Sequence, residues 1–228
     1  MKRGKFFALA FALVYWVVGP AVFAQCGGGP PVNRNAIFHV VNVPLQPTYH
    51  HNLSTAQIQS LGYNVKLASR NLEEPGLTTA EQSLETNAQY GALENTRTHR
   101  FCVWAESVDV EFSYTKMDVY VSSQYPESSC PYRVILEHEN QHVAINQGVL
   151  RKYVNLMKQA IRKDRTIPTK TRPLSAASFK EGQDIISARI ARIIQPLYQH
   201  YKREVLGANR KIDTMRNYRR IQAKCKGW

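Results

Sequence analysis

The sequence predicts an α+β fold: an N-terminal antiparallel β-rich part, then a long helix packed on a second long antiparallel helix. Three observations carry this. In residues 100–123, RFCVWAESVDVEFSYTKMDVYVSS, the residues Val108, Val110, Phe112 and Tyr114 alternate with polar ones. Met117, Val119 and Val121 resume the alternation after a break at Thr115-Lys116. A period of two marks strands, so two antiparallel strands facing one core are expected. From Pro131 to about Lys163 the apolar step changes to three or four, through Ile135, His138, His142, Ile145, Val149, Tyr153, Leu156 and Ala160. Leu136, Val143, Leu150, Val154, Met157 and Ile161 form an adjacent stripe. The helical step returns from about Ser175 to Leu206, through Phe179, Gly182, Ile186, Ile190, Ile193 and Leu197, then His200 and Glu204. Strands first and helices second argue α+β.

The elements follow in order. Lys2, Arg3 and Lys5 precede an apolar run from Phe6 to Val18, Gly19-Pro20 breaks it, and Ala21-Val22-Phe23-Ala24 offers small residues for cleavage. This is the layout of a secretory signal peptide over residues 1–24. The rival is a retained N-terminal anchor, but the run is too short to span a bilayer as a stable helix. A lipoprotein is disfavoured because Gln25 precedes Cys26. Residues 25–35, QCGGGPPVNRN, form a Gly/Pro-rich lead-in. Residues 36–44 read as a strand, and Ser54-Thr55 caps a short helix ending at Gly62. Residues 63–68 read as a second strand, and a similar cap recurs at Thr78-Thr79-Ala80-Glu81. Ser128 or Ser129 caps the first long helix, and Pro131 suits its first turn. Residues 164–174 are a Pro/Thr loop. Pro196 is expected to kink the second long helix and Gly207 to end it. A basic helix over about 210–224 closes the chain. The 228 residues are enough for one domain, here 36–228, with a sizeable core.

Export agrees with the cysteines. Cys26, Cys102, Cys130 and Cys225 are an even set, so two disulfides are expected in an oxidising compartment, periplasmic or secreted. Three pairings are open. Cys102 with Cys130 is favoured because both flank the β-rich stretch, which leaves Cys26 with Cys225. None has C-x-x-C spacing, so neither a zinc knuckle nor a thioredoxin-type motif is supported. The net charge of +13 is uneven. Residues 25–150 hold 7 Lys and Arg against 12 Asp and Glu, whereas residues 151–228 hold 20 against 5. So basic a last third attracts anions. In an exported protein, anionic envelope polymers or lipid suit it better than nucleic acid, which is not expected as a partner. A solvated helical face docking on the acidic part is the plainer explanation.

The chemistry sits in residues 134–148, VILEHENQHVAINQG, which contain H-E-x-x-H. On a helix His138 and His142 lie one turn apart on one face and can offer imidazole nitrogens to one Zn²⁺. Glu139 projects about 100° around the axis, beside the metal. It can take a proton from water whose pKa the metal lowers to about 7, then pass it to a leaving amine. The motif is short and can arise by chance, but it falls mid-helix after a β-rich segment, where a peptidase keeps an edge strand for extended substrate. The competing explanation is two satisfied core histidines and a surface Glu.

The stretch resembles the active-site helix of the zincin metallopeptidases. It departs from the metzincin pattern, with Ile145 at the Gly position and Gly148 at the third His. It is more similar to the gluzincin style, which implies an acidic third ligand on a later helix. The layout after residue 24 also resembles an uncharacterised group of bacterial exported proteins predicted to be zinc peptidases. That likeness is loose, covers most of the chain and implies peptide hydrolysis without naming a substrate.

Geometry must supply the third ligand. If the two long helices pack antiparallel across the 164–174 loop, the level of His138–His142 corresponds to about residue 198, at 1.5 Å per residue. His200 and Glu204 stand there. Glu204 is therefore the expected third ligand, and His200 supports it, replaces it or donates to the transition state. Asp213 is an outside candidate, while Glu181 and Asp184 fall over 20 Å away by the same rise. Tyr198, His200 and Tyr201 are candidate oxyanion donors by proximity. His50, His51 and His99 have no ligand spacing, and Asn52-Leu53-Ser54 matters as a sequon only in a eukaryotic secretory path. The sequence thus predicts an exported zinc hydrolase, a peptidase with one zinc per chain on His138, His142 and Glu204 and Glu139 as base. The alternative is a noncatalytic scaffold of the same shape that binds anionic polymers or lipid through its basic helices.

Overall fold

A computed structural model describes Cys26, residues 36–64 and residues 75–228, with only the backbone of Tyr63 and Asn64. The expected signal peptide, most of the lead-in and the strand expected at 63–68 lie outside these residues, apart from the last two residues of α1 (Thr55–Asn64), which are helical. The remaining elements are β1 (Ile37–Val41), β2 (Thr48–His50), β3 (Gly76–Asn95), β4 (Arg100–Val121), α2 (Cys130–Lys163), β5 (Leu174–Ala176), α3 (Phe179–Ile212) and α4 (Met215–Gln222). The mixed composition agrees with the α+β expectation.

β4 organises the sheet. β3 pairs antiparallel along one edge of it from Gly76↔Val121 to Asn95↔Arg100. β1 and β2 pair parallel along the other edge, and β5 pairs antiparallel there at Phe101–Val103. The break at Thr115-Lys116 is a β-bulge, not a turn between two strands. Glu81 opposes Lys116 while Gln82 opposes Tyr114, which leaves Thr115 as the extra residue. The bulge switches the alternation from even to odd positions. Val108, Val110, Phe112 and Tyr114 before it and Met117, Val119 and Val121 after it are all buried. The helix cap expected at Thr78-Thr79-Ala80-Glu81 lies inside β3, a strand rich in Ala, Glu, Gln and Leu. Pairing along the whole of β4 overrides that local preference.

α2 and α3 cover one face of the sheet. Val143, Leu150, Val154, Met157 and Ile161 of α2 share a core with Ile186, Ile190, Ile194 and Tyr201 of α3 and the inward residues of β4. Ser129 caps α2 by accepting from Tyr132 N at 3.2 Å. Ser178 caps α3 by accepting from Glu181 N, and Glu181 Oε2 accepts from Ala177 N one residue before the cap. α3 carries Pro196 inside it and passes Gly207 without ending; its C-cap is Asp213.

The two helices are antiparallel but offset. After α2 the chain does not turn straight back. It travels to the far end of β4, forms β5 against Phe101–Val103, and only then starts α3, where Gly182 packs on Val103. Arg189 Nη1 donates to Thr166 O just beyond the end of α2, so the first ten or so residues of α3 run past that end. They shift its level by roughly 15 Å at 1.5 Å per residue.

The disulfides are Cys26–Cys102 and Cys130–Cys225, which corrects the expected pairing. Two strands joined by a turn would have brought Cys102 near Cys130. One continuous strand places them at opposite ends of β4, roughly 60 Å apart along it at about 3.3 Å per residue. Both bridges fit an oxidising compartment. Among the described residues no helix is long and apolar enough to cross a membrane.

Candidate metal centre

His138, Glu139 and His142 lie in the third and fourth turns of α2, on the face turned to the sheet and the end of α3, and all three are buried. The offset of α3 decides what meets them. Asp213, at the junction of α3 and α4, places Oδ1 2.9 Å from His142 Nε2 and 3.3 Å from His138 Nε2. Potential ligand atoms of His138, His142 and Asp213 lie within 4.8 Å of one another, so the group could hold a metal ion.

Glu204 is elsewhere. It sits on α3 opposite Lys152, whose Nζ donates to both its oxygens at 2.7 and 2.8 Å, and Tyr153 donates to it at 2.9 Å. These bonds hold its carboxyl below the ordinary glutamate range. His200 is exposed and lies against Arg203 at 3.0 Å. Neither reaches the histidines, because the expected register assumed that both helices start level at the loop. Tyr201 is a core residue bonded to Tyr114, and Tyr198 stacks on it, so neither faces the site. Glu181 caps α3, Asp184 pairs with Lys180, and His50 is bound to Asp118. The outside candidate, Asp213, is the one the fold brings in.

The surroundings suit metal binding. His138 Nδ1 is buried without a hydrogen-bond partner, and its buried Nε2 faces only Asp213 Oδ1 at 3.3 Å, outside hydrogen-bond geometry, a cost that coordination would remove. Asp213 caps the C-terminus of α3, the wrong end of the helix dipole for a carboxylate unless a positive group faces it. Burial alone would push its carboxyl up, but the two histidines more than offset that and hold it at about 2. Burial alone would lower the His142 imidazole; Asp213 and Glu139 outweigh it and raise it to about 9. His142 Nδ1 lies 2.8 Å from Asn209 Oδ1, and Asn209 Nδ2 donates to Asn146 Oδ1 at 2.9 Å. With the proton on Nδ1, this chain leaves Nε2 to face Asp213.

Glu139 is held from the sheet. Thr78 Oγ1 donates to its Oε2 at 2.8 Å and approaches its backbone carbonyl at 3.2 Å. A side chain at Gly76 would sit 2.5 Å from Oε1 and 2.7 Å from Ile135 Cγ2, so the strand can approach this closely only as glycine. Burial raises the Glu139 carboxyl, and His142, His138 and Thr78 only partly offset this. A cavity of about 200 Å³ opens beside Glu139 and His138, walled by Gly76, Ile135, Tyr218 and Trp228. Sequence reasoning missed Gly76, Thr78, Asn209, Asn146 and the α4 wall. The i, i+4 spacing of Asn209 and Asp213, matching that of His142 and Asn146, was the one available signal.

No family model, no curated protein and no solved structure matches this chain.

Proposed function

We propose that the protein is an exported zinc-dependent hydrolase that cleaves peptide bonds, with His138, His142 and Asp213 holding the metal and Glu139 moving the proton. The observation that carries this is the convergence of three ligand groups around an unsatisfied buried histidine, beside a buried carboxyl that faces a cavity. Bound zinc supplies Lewis acidity, which polarises a carbonyl and makes water a nucleophile near neutral pH. The chain's own residues do the rest. Thr78 holds Oε2, which leaves Oε1 to take a proton from the attacking water. Glu139 returns that proton to the leaving amine as the C–N bond breaks. β3 has no strand partner on its outer side among the described residues, and Gly76 and Thr78 lie at its site end. It offers an extended substrate backbone a place to pair.

The test is Glu139→Gln. The variant is expected to keep zinc and lose hydrolysis of any peptide the parent cleaves by at least ~100-fold. Equal turnover by parent and variant would remove Glu139 from the role. Zinc binding with no hydrolysis by the parent, across a peptide library, would favour the noncatalytic scaffold.

A further inference from the structure

Two concavities border α4. Tyr218, Ile221 and Gln222 wall the cavity beside His138 and Glu139. Across the helix a shallow groove is lined by Lys211, Thr214, Arg216, Asn217 and Arg220. Met215 borders both. Lys211, Arg216 and Arg220 are exposed, and among the described residues none makes an ion pair with a carboxylate. The nearest acid in sequence, Asp213, is turned to the histidines. Arg219 adds a further exposed cation at the cavity wall. Positive charge without a close ion pair, lining a concavity beside a candidate catalytic cavity, favours an anionic occupant.

We propose that α4 selects the substrate: a polypeptide that puts an apolar side chain in the cavity and acidic side chains in the Lys211–Arg216–Arg220 groove. This rests on the peptidase function proposed for the His138 site. A cavity of about 200 Å³ accepts one side chain rather than a folded ligand. A helix with its side chains is ~10 Å across, and an extended chain advances ~3.3 Å per residue. The acidic residues therefore stand about three positions from the apolar one. A groove suits a chain better than a flat lipid surface, and the shared border at Met215 places it next to the cavity, within reach of one chain occupying both.

The experiment uses full-length, zinc-loaded Glu139→Gln protein and three fluorescent peptides. One carries a Leu with an Asp block three positions away, one has Asn for Asp, and one has Gly for Leu. Anisotropy at low salt is expected to show the first binding about ten-fold more tightly than either of the others, an advantage that shrinks as salt rises. Arg216→Glu/Arg220→Glu is expected to close the gap between Asp and Asn peptides; if it does not fold, Arg216→Gln/Arg220→Gln replaces it. Equal affinity for all three peptides overturns the proposal. So does sedimentation with phosphatidylglycerol vesicles without preference for the Asp peptide. Peptides bound in the expected order but never cleaved by the parent would refute the peptidase function and leave the recognition standing. Cleavage indifferent to the Asp block would do the reverse.

Discussion

Tyr114 and Tyr201 share a buried hydrogen bond between hydroxyls 2.6 Å apart, with β4 on one side and α3 on the other. Phe112 packs edge-on against the Tyr201 ring at 4.7 Å. Removing one hydroxyl leaves its partner buried without a bond, which costs ~1–3 kcal/mol; removing both leaves two apolar rings and costs much less. Tyr114→Phe and Tyr201→Phe are each expected to destabilise by about 2 kcal/mol, roughly 4–8 °C in Tm for a chain of this size. The double variant is expected to lie within about 1 kcal/mol of the parent, a coupling measurable by chemical denaturation at fixed metal concentration. Alkali provides a second readout. Burial pushes the Tyr114 hydroxyl up to about 12 and Tyr201 up as well. Both phenols thus stay protonated in the fold after unfolded tyrosines ionise near 10. Their contribution is intact below pH ~10 and is lost as pH rises toward about 12. Single substitutions that are neutral, or a double that equals their sum, would refute the pair's role. The pair matters to the site because it clamps α3 to the sheet about three turns before Asp213.

Three further outcomes are expected. Gly76→Ala forces a methyl group into the space of Glu139 Oε1; it should lower turnover by at least ~10-fold while zinc content, measured by elemental analysis, stays at the parent level. Asn209→Ala removes the partner of His142 Nδ1 and should weaken zinc binding by ~10–100-fold in a chelator competition, with circular dichroism unchanged. Replacing Cys130 and Cys225 by Ser frees the chain beyond α4 from the start of α2 across a separation of 95 residues; it should cost ~2–5 kcal/mol and lower zinc affinity as the α3–α4 junction loosens.

Much of the frame was legible because its periodicities are strong. The alternation marked residues 100–121 as extended, though as two strands rather than one, and the helical step around HENQH placed α2 within a residue or two. What escaped depended on long-range pairing. β3 looks helical by composition, and only the register with β4 makes it a strand. The phase change at Thr115 looks the same in sequence whether the chain bulges or turns, and that ambiguity also misdirected the cysteine pairing. Half the site was written in His138, Glu139 and His142. The other half depended on where α3 begins, which the three residues of β5 decide. Without that detour the stripe of α3 pointed to Glu204; with it, the helix reaches the histidines about two and a half turns later, at Asp213.

The most direct test of the central claim is the zinc content of three variants of the protein: His138→Ala, Asp213→Ala and Glu204→Ala. The parent and Glu204→Ala are expected to hold about one zinc per chain, and the other two to lose it at equal free metal concentration. Full zinc in Asp213→Ala, or loss of zinc in a folded Glu204→Ala, would contradict the site described here.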